Sequence, residues 1–164
     1  MTDNYDLSLA DYKRMENEND DAPRFERAIN DADGRVLYVP YGEYKISSPI
    51  IIKNGTSLLM HPKAKLIAIS EMDYVLNCDF ECKKQGIDVI NAFITGGIID
   101  GNGMASCMFI TGCRHFKLSD ISFLNGKQFG LRAQRPGYEL LANNLYCKCN
   151  MSGLAGNSGI RFDM

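Results

Sequence analysis

The sequence predicts an all-β protein in which successive coils of the chain stack into a parallel β-helix, preceded by one short helix. The main observation is an internal repeat: the segment that begins at Phe93 returns at Phe116, a shift of 23 residues (116 − 93). Asn102-Gly103 returns as Asn125-Gly126 at the same shift of 23 (125 − 102). A fixed period of roughly 20–30 residues, with strand and turn residues but no helical stretch between them, is typical of a β-solenoid.

A third, weaker copy of the repeat follows. Tyr138 aligns with Phe116 at a shift of 22 (138 − 116), and Asn144 aligns with Asp120 at a shift of 24 (144 − 120). These shifts predict coils of about 22–25 residues. The alignment also predicts that Tyr138 lies in the core together with Phe93 and Phe116.

The elements before the repeats can be assigned in order. Polar and acidic residues 1–19 predict a flexible N-terminal arm. Asp20 or Asp21 is expected to cap a helix over residues 22–32, with Pro23 in its first turn and Gly34 at its end. Five apolar residues at helical spacing form one stripe on this helix: Ala22, Phe25, Ala28, Ile29 and Ala32.

Compact apolar segments separated by turn residues predict the strands that follow the helix. They cover residues 35–40, 44–46, 49–52, 57–60 and 65–69, the repeats within 91–150, and 160–162, with a longer loop around 81–85. Their near-continuous apolar composition favours parallel pairing. Residues 20–164 are therefore expected to form a single β-helix domain.

The last predicted strand begins a new coil shortly before the sequence ends. A β-helix coil offers open backbone groups unless something covers it. We therefore expect either that this domain is the N-terminal part of a longer polypeptide, or that another subunit, for example in a homotrimer, covers its C-terminal coil.

Composition limits the classes of partner. The 164 residues are 45% hydrophobic and 23% charged, with a net charge of −2, so no basic excess predicts a nucleic-acid partner. No apolar run approaches the ~20 residues that cross a bilayer, and no membrane association is predicted. No signal peptide is visible, which predicts a cytoplasmic protein or one carried on a phage particle, or an extracellular one if a leader was removed.

Six cysteines are present in the sequence: Cys78, Cys82, Cys107, Cys113, Cys147 and Cys149. Their CxxxC, CxxxxxC and CxC spacings match no common zinc module. We interpret them as reduced thiols that fill narrow inward positions of the stacked coils.

Asp100 and Asp120, the two aspartates of the repeats, are candidate calcium ligands. The repeat alignment sets Asp120 opposite Gly97 and Asp100 opposite Phe123, so the two carboxylates are out of register. Clustered carboxylates are what calcium requires. No metal site and no cofactor is predicted.

The candidate binding residues are three cations near the strand at 129–131. Lys127, Arg132 and Arg135 are predicted to bind a polysaccharide, because guanidinium groups bind the carboxylates of acidic sugars with two parallel hydrogen bonds. The alternative is a solvated turn that continues into Pro136-Gly137.

Three segments resemble the pectate-lyase-like superfamily. Residues 20–29 are similar to its capping-helix pattern D-D-x-x-x-[FI]-x-x-A-I, and residues 36–46 to its strand pattern V-P-x-G-x-Y. Residues 97–103 are similar to the G-x-I-D-G-x-G segment of the polygalacturonase group, glycoside hydrolase family 28. The resemblance extends over roughly residues 20–162 and implies a right-handed parallel β-helix. The superfamily includes polysaccharide lyases, polygalacturonase-type hydrolases and phage tail spikes.

The catalytic pattern of that group is not reproduced. Its N-T-D-G-[IV]-D motif is most similar here to residues 156–161, where Ser158 takes the place of the catalytic aspartate. Inverting hydrolysis needs an acid and a base ~6.5–9.5 Å apart, and serine supplies neither without a base beside it. The later motifs would lie beyond Met164. No catalytic residue is predicted, and whether the protein is an enzyme stays open.

The function implied by the resemblance is therefore the N-terminal β-helix portion of a polysaccharide-recognising, polygalacturonase-like or pectate-lyase-like protein, without a complete catalytic site of its own. The alternative is a structural or receptor-binding β-helix module of a phage tail spike or appendage. Chain cleavage would support the first, and a trimer that binds sugar without cutting it would support the second.

Overall fold

Parallel strand pairs organise the chain, and each strand pairs with one roughly a coil later in the sequence. The structure, a computed structural model, describes residues 5–78, 89–134, 140–149 and 158–163. All the strand pairs in these ranges are parallel. The chain is a right-handed parallel β-helix, as the sequence predicted.

Three sheets form the sides of the coil stack. Sheet A contains β1 (Leu7–Ser8), β2 (Val36–Val39), β5 (Ser57–Met60), β9 (Phe93–Thr95), β13 (Phe116–Ser119) and β16 (Leu140–Asn143). Sheet B contains β3 (Glu43–Ile46), β6 (Lys65–Ala68), β10 (Ile98–Asp100), β14 (Ser122–Leu124) and β17 (Tyr146–Lys148). Sheet C contains β4 (Ile50–Ile51), β7 (Tyr74–Asn77), β11 (Ser106–Thr111), β15 (Phe129–Gln134) and β18 (Ser158–Asp163). In addition, β8 (Val89–Ile90) pairs with β12 (Cys113–Arg114).

The core is the inside of this stack. Successive strand residues alternate between the inner and outer faces, so every second side chain points inward. Sheet A shows the alternation in β2 and β5, where half-exposed and buried residues follow one another. Leu37, Leu58 and Ile94 stack on one another in consecutive coils and are fully buried.

The predicted register of the repeats was wrong by one residue in sheet A. Phe93 pairs with Lys117, an offset of 24 (117 − 93), rather than with Phe116. A slip of one residue moves a side chain to the opposite face of a sheet. Phe93 therefore faces outward, where the Lys117 ammonium lies 5.3 Å from its ring centroid, while Phe116 is fully buried. Tyr138, predicted to join them in the core, lies outside the described residues.

The predicted partners of the two aspartates shift by the same single residue. Asp100 pairs with Leu124 rather than Phe123. Ser119 pairs with Thr95, so the next residue, Asp120, stands opposite Gly96 rather than Gly97.

Asp100 has protein partners on both carboxylate oxygens. Its Oδ1 accepts from the Asn102 N–H and the Asn125 Nδ2, each at 2.9 Å, and its Oδ2 lies 2.6 Å from the Lys65 Nζ. Burial alone would raise its pKa, but the hydrogen bonds from Lys65 and Asn125 outweigh it, so the pKa lies below its usual value. Asp100 is thus an internal ion-pair partner that joins three coils.

The predicted helix is present as α1 (Ala22–Ala32), which confirms residues 22–32. Phe25 on its apolar stripe is fully buried and meets the Tyr44 ring edge to face, with centroids 5.5 Å apart. Asp20 Oδ1 accepts the Ala22 N–H at 2.7 Å. The left-handed conformation that ends the helix begins at Asp33 (φ 45°), one residue before Gly34.

The beginning of the predicted N-terminal arm contacts the coil stack. β1 adds a strand to the end of sheet A beside β2, and a 3-10 helix over Leu9–Asp11 follows it. Leu9 is fully buried, and the Tyr5 ring stacks on Tyr38 at 4.7 Å. These contacts cover part of the same end of the stack as α1. No helix in the described part of the chain has both the length and the apolar character that a membrane span requires.

Candidate functional site

The outer face of sheet C carries the main group of aromatic and charged side chains in the described residues. Phe109 of β11 pairs with Arg132 of β15, which pairs with Arg161 of β18, so these side chains form one outward column. We call the group of six residues around this column the sheet C patch: Tyr74, Phe109, Phe129, Arg132, Arg161 and Asp163. β7, β11, β15 and β18 supply its members.

Two aromatic rings form the base of the sheet C patch. Tyr74 stacks on Phe109 with ring centroids 4.9 Å apart and an interplanar angle of 21°. Phe109 is only 7% exposed, whereas Tyr74 is half-buried. The ring of Tyr74 is therefore fixed in place by a buried neighbour while part of it stays accessible. Burial raises the pKa of its hydroxyl, although a hydrogen bond from Arg132 opposes the rise.

Arg132 occupies the centre of the patch. Its guanidinium carbon lies 5.9 Å from the Phe109 centroid and 5.2 Å from the Phe129 centroid, within the range of cation–π attraction. Its Nε donates to Asp163 Oδ2 at 2.9 Å. A guanidinium has five N–H donors in a planar fork, so a single carboxylate leaves other donors for a ligand.

Arg161 shares the same carboxylate. Its Nε donates to Asp163 Oδ1 at 2.5 Å, and its guanidinium carbon lies 6.0 Å from the Phe129 centroid. The hydrogen bonds from Arg161 and Arg132 hold the pKa of Asp163 below its usual value. The guanidinium groups of Arg132 and Arg161 thus flank the Asp163 carboxylate over the buried ring of Phe129.

A shallow cavity of about 300 Å³ adjoins the patch. It is lined by Glu71, Met72, Asp73, Ser106, Lys127 and Gln128. The Lys127 ammonium pairs with the Glu71 carboxylate across it, and both side chains are exposed. The Ser106 Oγ accepts the Phe129 N–H at 3.2 Å, which links the cavity wall to β15.

The three predicted binding residues have different positions. Arg132 lies at the centre of the sheet C patch and Lys127 lies at the adjoining cavity, so the structure brings these two to one face. Arg135 lies outside the described residues. The binding role assigned to all three stays a prediction.

Sequence reasoning missed the aromatic part of the site. Tyr74, Phe109 and Phe129 were not singled out, nor were Arg161 and Asp163. One signal was available: Phe109 and Arg132 are separated by 23 residues (132 − 109), the same shift that revealed the repeat. Extending that shift along β11 and β15 places a guanidinium beside an aromatic ring.

The charges of the described residues in the sheet C patch and its adjoining cavity balance. Lys127, Arg132 and Arg161 supply three cations, and Glu71, Asp73 and Asp163 supply three anions. In the ranges that the structure describes, no group of three or more His, Cys, Asp or Glu side chains is arranged to hold a metal ion. The site therefore offers ring surface, guanidinium donors and carboxylate acceptors.

Comparison with solved structures identifies proteins with the same coil geometry. A surface adhesin of Streptococcus pneumoniae, PfbA, superposes with a TM-score of 0.64 at 17% identity, over 92% of this chain and 41% of the adhesin. An iota-carrageenase complexed to iota-carrageenan fragments gives 0.61 at 16% identity, over 87% of this chain and 38% of that one. The adhesin and the carrageenase share the fold of this chain.

A third structure extends the comparison to another activity. The A-module of the mannuronan C-5 epimerase AlgE4 of Azotobacter vinelandii gives a TM-score of 0.53 at 14% identity, over 94% of this chain and 63% of the module. At such identities the likeness concerns the fold alone. The chain spans 38% to 63% of the length of these three proteins. No protein-family profile and no curated protein matches the sequence.

Proposed function

We propose that this protein recognises a polysaccharide and that the sheet C patch is its binding face. The observation that carries the proposal is the stacked pair of Tyr74 and Phe109 with the Arg132 guanidinium beside it. An aromatic ring packs on the C–H face of a sugar, while arginine donors reach its hydroxyl or carboxylate oxygens. Two of the solved structures named above are an iota-carrageenase complexed to iota-carrageenan fragments and a mannuronan C-5 epimerase module, which supports a carbohydrate ligand.

Binding variants test this proposal against a panel of neutral and acidic polysaccharides. Tyr74→Ala and Arg132→Gln are each expected to weaken the affinity for the bound glycan about tenfold, equivalent to ~1.4 kcal/mol, because each removes one contact. Isothermal titration calorimetry measures the affinity, and thermal unfolding checks that each variant is folded.

The chain offers a matched control on another face. Lys117 lies over Phe93 on sheet A, a cation–aromatic pair with a geometry similar to that of Arg132. Lys117→Gln is expected to leave glycan affinity unchanged. Equal losses in Lys117→Gln and Arg132→Gln, or no binding to any glycan, would rule out the sheet C patch as the binding face.

The polysaccharide that we propose as ligand is acidic, as the arginines predicted to bind it suggested. Arg132 and Arg161 are tied to one carboxylate, Asp163, and keep further donors for a sugar carboxylate or sulfate. Because the charges of the described residues on this face balance, we expect attraction over long range to contribute little. Affinity for an acidic glycan is then expected to fall only modestly, by less than about tenfold, between low and physiological salt.

The chain is further proposed to be the N-terminal portion of a longer polysaccharide-active protein. Ile160 and Phe162 of β18 lie on the inward side of the strand, opposite Leu131 and Ala133, yet they are 37% and 52% exposed. Either the continuing polypeptide or a second subunit would cover them. The test is to measure reducing-end release and the absorbance of unsaturated products, on this chain and on the full-length gene product. Cleavage by the longer protein alone would support the proposal that this chain is its N-terminal portion.

The structural alternative is tested by the same measurements. If only the longer protein cleaves a polysaccharide, this chain is scaffold and sugar-contact surface. If neither cleaves, one glycan binds and light scattering shows a trimer, the receptor-binding module of a tail spike or appendage becomes the better description.

A further inference from the structure

Three cysteine sulfurs lie together inside the coil stack, away from the sheet C patch. Cys107 of β11 is fully buried, and its Sγ lies 3.3 Å from the Leu124 carbonyl oxygen. Cys147 of β17 pairs with the inward-facing Phe123, and Cys149 follows two residues later. The Cys147 and Cys149 Sγ atoms are 3.4 Å apart. The CxC pair thus points into the stack with both sulfurs in contact.

Glycines on the neighbouring coils make room for these sulfurs. A Cβ atom added at Gly130 would lie 2.4 Å from the Cys147 Sγ, and one added at Gly126 would lie 3.0 Å from the Cys149 Sγ. A Cβ at Gly159 would lie 3.2 Å from the Cys147 Sγ. Any other residue at Gly130 would collide with the thiol, so the space around the CxC pair depends on glycine.

The neighbouring groups affect the pKa of the three thiols in different directions. Hydrogen bonding with Cys107, with Cys147 and with the Gly126 N–H lowers the pKa of Cys149, against the effect of burial and of the nearby Asp100 carboxylate. The same hydrogen bonds, together with burial, raise the pKa of Cys107 and of Cys147. These contacts favour ionisation of Cys149 over ionisation of Cys107 and Cys147.

We propose that Cys147 and Cys149 form a redox-active dithiol that a small disulfide of the oxidised-glutathione class converts into an intramolecular disulfide. The Cys149 thiolate attacks one sulfur of oxidised glutathione, and one glutathione thiolate leaves. Cys147 then loses its proton to solvent and attacks the Cys149 sulfur of the mixed disulfide, releasing the second glutathione. Two thiols are oxidised and one glutathione disulfide is reduced to two thiols. This dithiol is independent of the proposed polysaccharide site.

The partial accessibility of both cysteines favours a reversible disulfide. Two residues of extended chain span at most about 7 Å, and disulfide-linked Cα atoms are usually ~4.4–6.8 Å apart. The two residues are therefore close enough along the chain for the bond to form. Both cysteines are also partly accessible rather than fully buried. Strained or accessible disulfides are the ones that cellular thiols reduce readily.

The sequence provides a direct assay because Lys148 separates the two cysteines. The full chain is equilibrated in a series of oxidised and reduced glutathione mixtures, free thiols are alkylated, and the denatured protein is digested with trypsin. Cleavage after Lys148 yields the peptides 133–148 and 149–161, which a Cys147–Cys149 disulfide keeps joined. We expect mass spectrometry to find this joined pair in the oxidised samples and to lose it when reduced glutathione is in excess.

Single substitutions test the order of the steps. Cys147→Ser is expected to trap a glutathione adduct on Cys149, whereas Cys149→Ser is expected to abolish the joined peptides and to slow adduct formation at Cys147 by about tenfold or more. Cys113→Ser, at a fully buried thiol of another strand, is the matched control and is expected to leave the disulfide intact.

Other outcomes overturn the proposal. The absence of any disulfide in every glutathione mixture would do so, as would a disulfide to peptide 85–114, which carries Cys107 and Cys113. Equal trapping of glutathione on Cys147 in Cys149→Ser would show that Cys149 is not the nucleophile. Circular dichroism of each variant establishes that it is folded before the peptides are compared.

Discussion

At the scale of single residues, Gly96 shows how closely neighbouring coils approach one another. It adopts a φ of 77°, in the left-handed region that glycine tolerates best. A Cβ atom at this position would lie 2.2 Å from the backbone oxygen of Met60 in the preceding coil. The contact with Met60 is a property of the stack and not of the local turn.

This contact predicts different effects for two glycine substitutions with similar backbone angles. Gly96→Ala is expected to destabilise the protein by about 3 kcal/mol, because it adds a backbone collision to the strain of the left-handed conformation. Gly103 has a φ of 69° with no atom within 4 Å of an added Cβ, so Gly103→Ala is expected to cost only about 1 kcal/mol. Urea unfolding measures both, and equal losses would contradict the account of Gly96.

At the scale of elements, Asp21 attaches helix α1 and the arm to the first coil. Its Oδ2 accepts from the Lys45 N–H of β3 at 2.7 Å and from the Arg14 Nη2 at 2.6 Å. Arg24 of α1 donates to its Oδ1 at 3.1 Å. Burial raises the pKa of Asp21, but the hydrogen bonds from Arg14 and Lys45 outweigh burial and place the pKa below its usual value.

The lowered pKa predicts a pH dependence of stability. A carboxyl whose pKa is lower in the folded protein stabilises it above its unfolded pKa of about 3.9, and this contribution is lost as the pH falls through the folded value. Asp21→Asn is therefore expected to lower the free energy of unfolding by about 3 kcal/mol at pH 7, where two arginines lose their partner. The difference from the unsubstituted protein is expected to shrink at acidic pH, below about 4.

A control on the same helix keeps this test specific. Glu26 is exposed on α1, and Glu26→Gln is expected to change the free energy of unfolding by no more than about 0.5 kcal/mol at any pH. Urea titrations at several pH values measure all three proteins. A constant difference between Asp21→Asn and the unsubstituted protein down to strongly acidic pH would show that ionisation of Asp21 does not contribute.

At the scale of the whole molecule, the two ends of the described stack differ. α1 and β1 cover the end formed by β2 and β3, where Phe25 and Leu9 are fully buried. At the other end, the inward-facing Ile160 and Phe162 of β18 are exposed. In a solenoid each coil is stabilised mainly by its two neighbours, so a coil with one covered side is held less firmly.

This asymmetry predicts a gradient of hydrogen exchange along the chain. Amides of β16, β17 and β18 are expected to exchange at least about tenfold faster than those of β5, β6 and β10, because local opening of the end coil exposes little additional apolar surface. Exchange measured by mass spectrometry of peptic peptides gives the comparison. Uniform protection from β2 to β18 would indicate that the end coil is covered in solution.

Local patterns in the sequence determined much of the architecture. The helix over 22–32 follows from apolar spacing and the acidic residues before it, and the strand segments follow from short apolar runs separated by turn residues. Each of these signals lies within about a dozen neighbouring residues, where sequence and local conformation are closely linked. The repeat then indicated that the strands stack in parallel.

Only the tertiary structure decided which side chains meet. Between the same two coils the offset is 24 residues in sheet A, at Phe93 and Lys117, and 23 in sheet C, at Phe109 and Arg132. The next offset in sheet C is 29 (161 − 132), because more residues lie between β15 and β18 than between β11 and β15. One residue of offset reverses which face a side chain occupies. The sheet C patch therefore depends on the lengths of the connecting segments summed over whole coils, which no short sequence window contains.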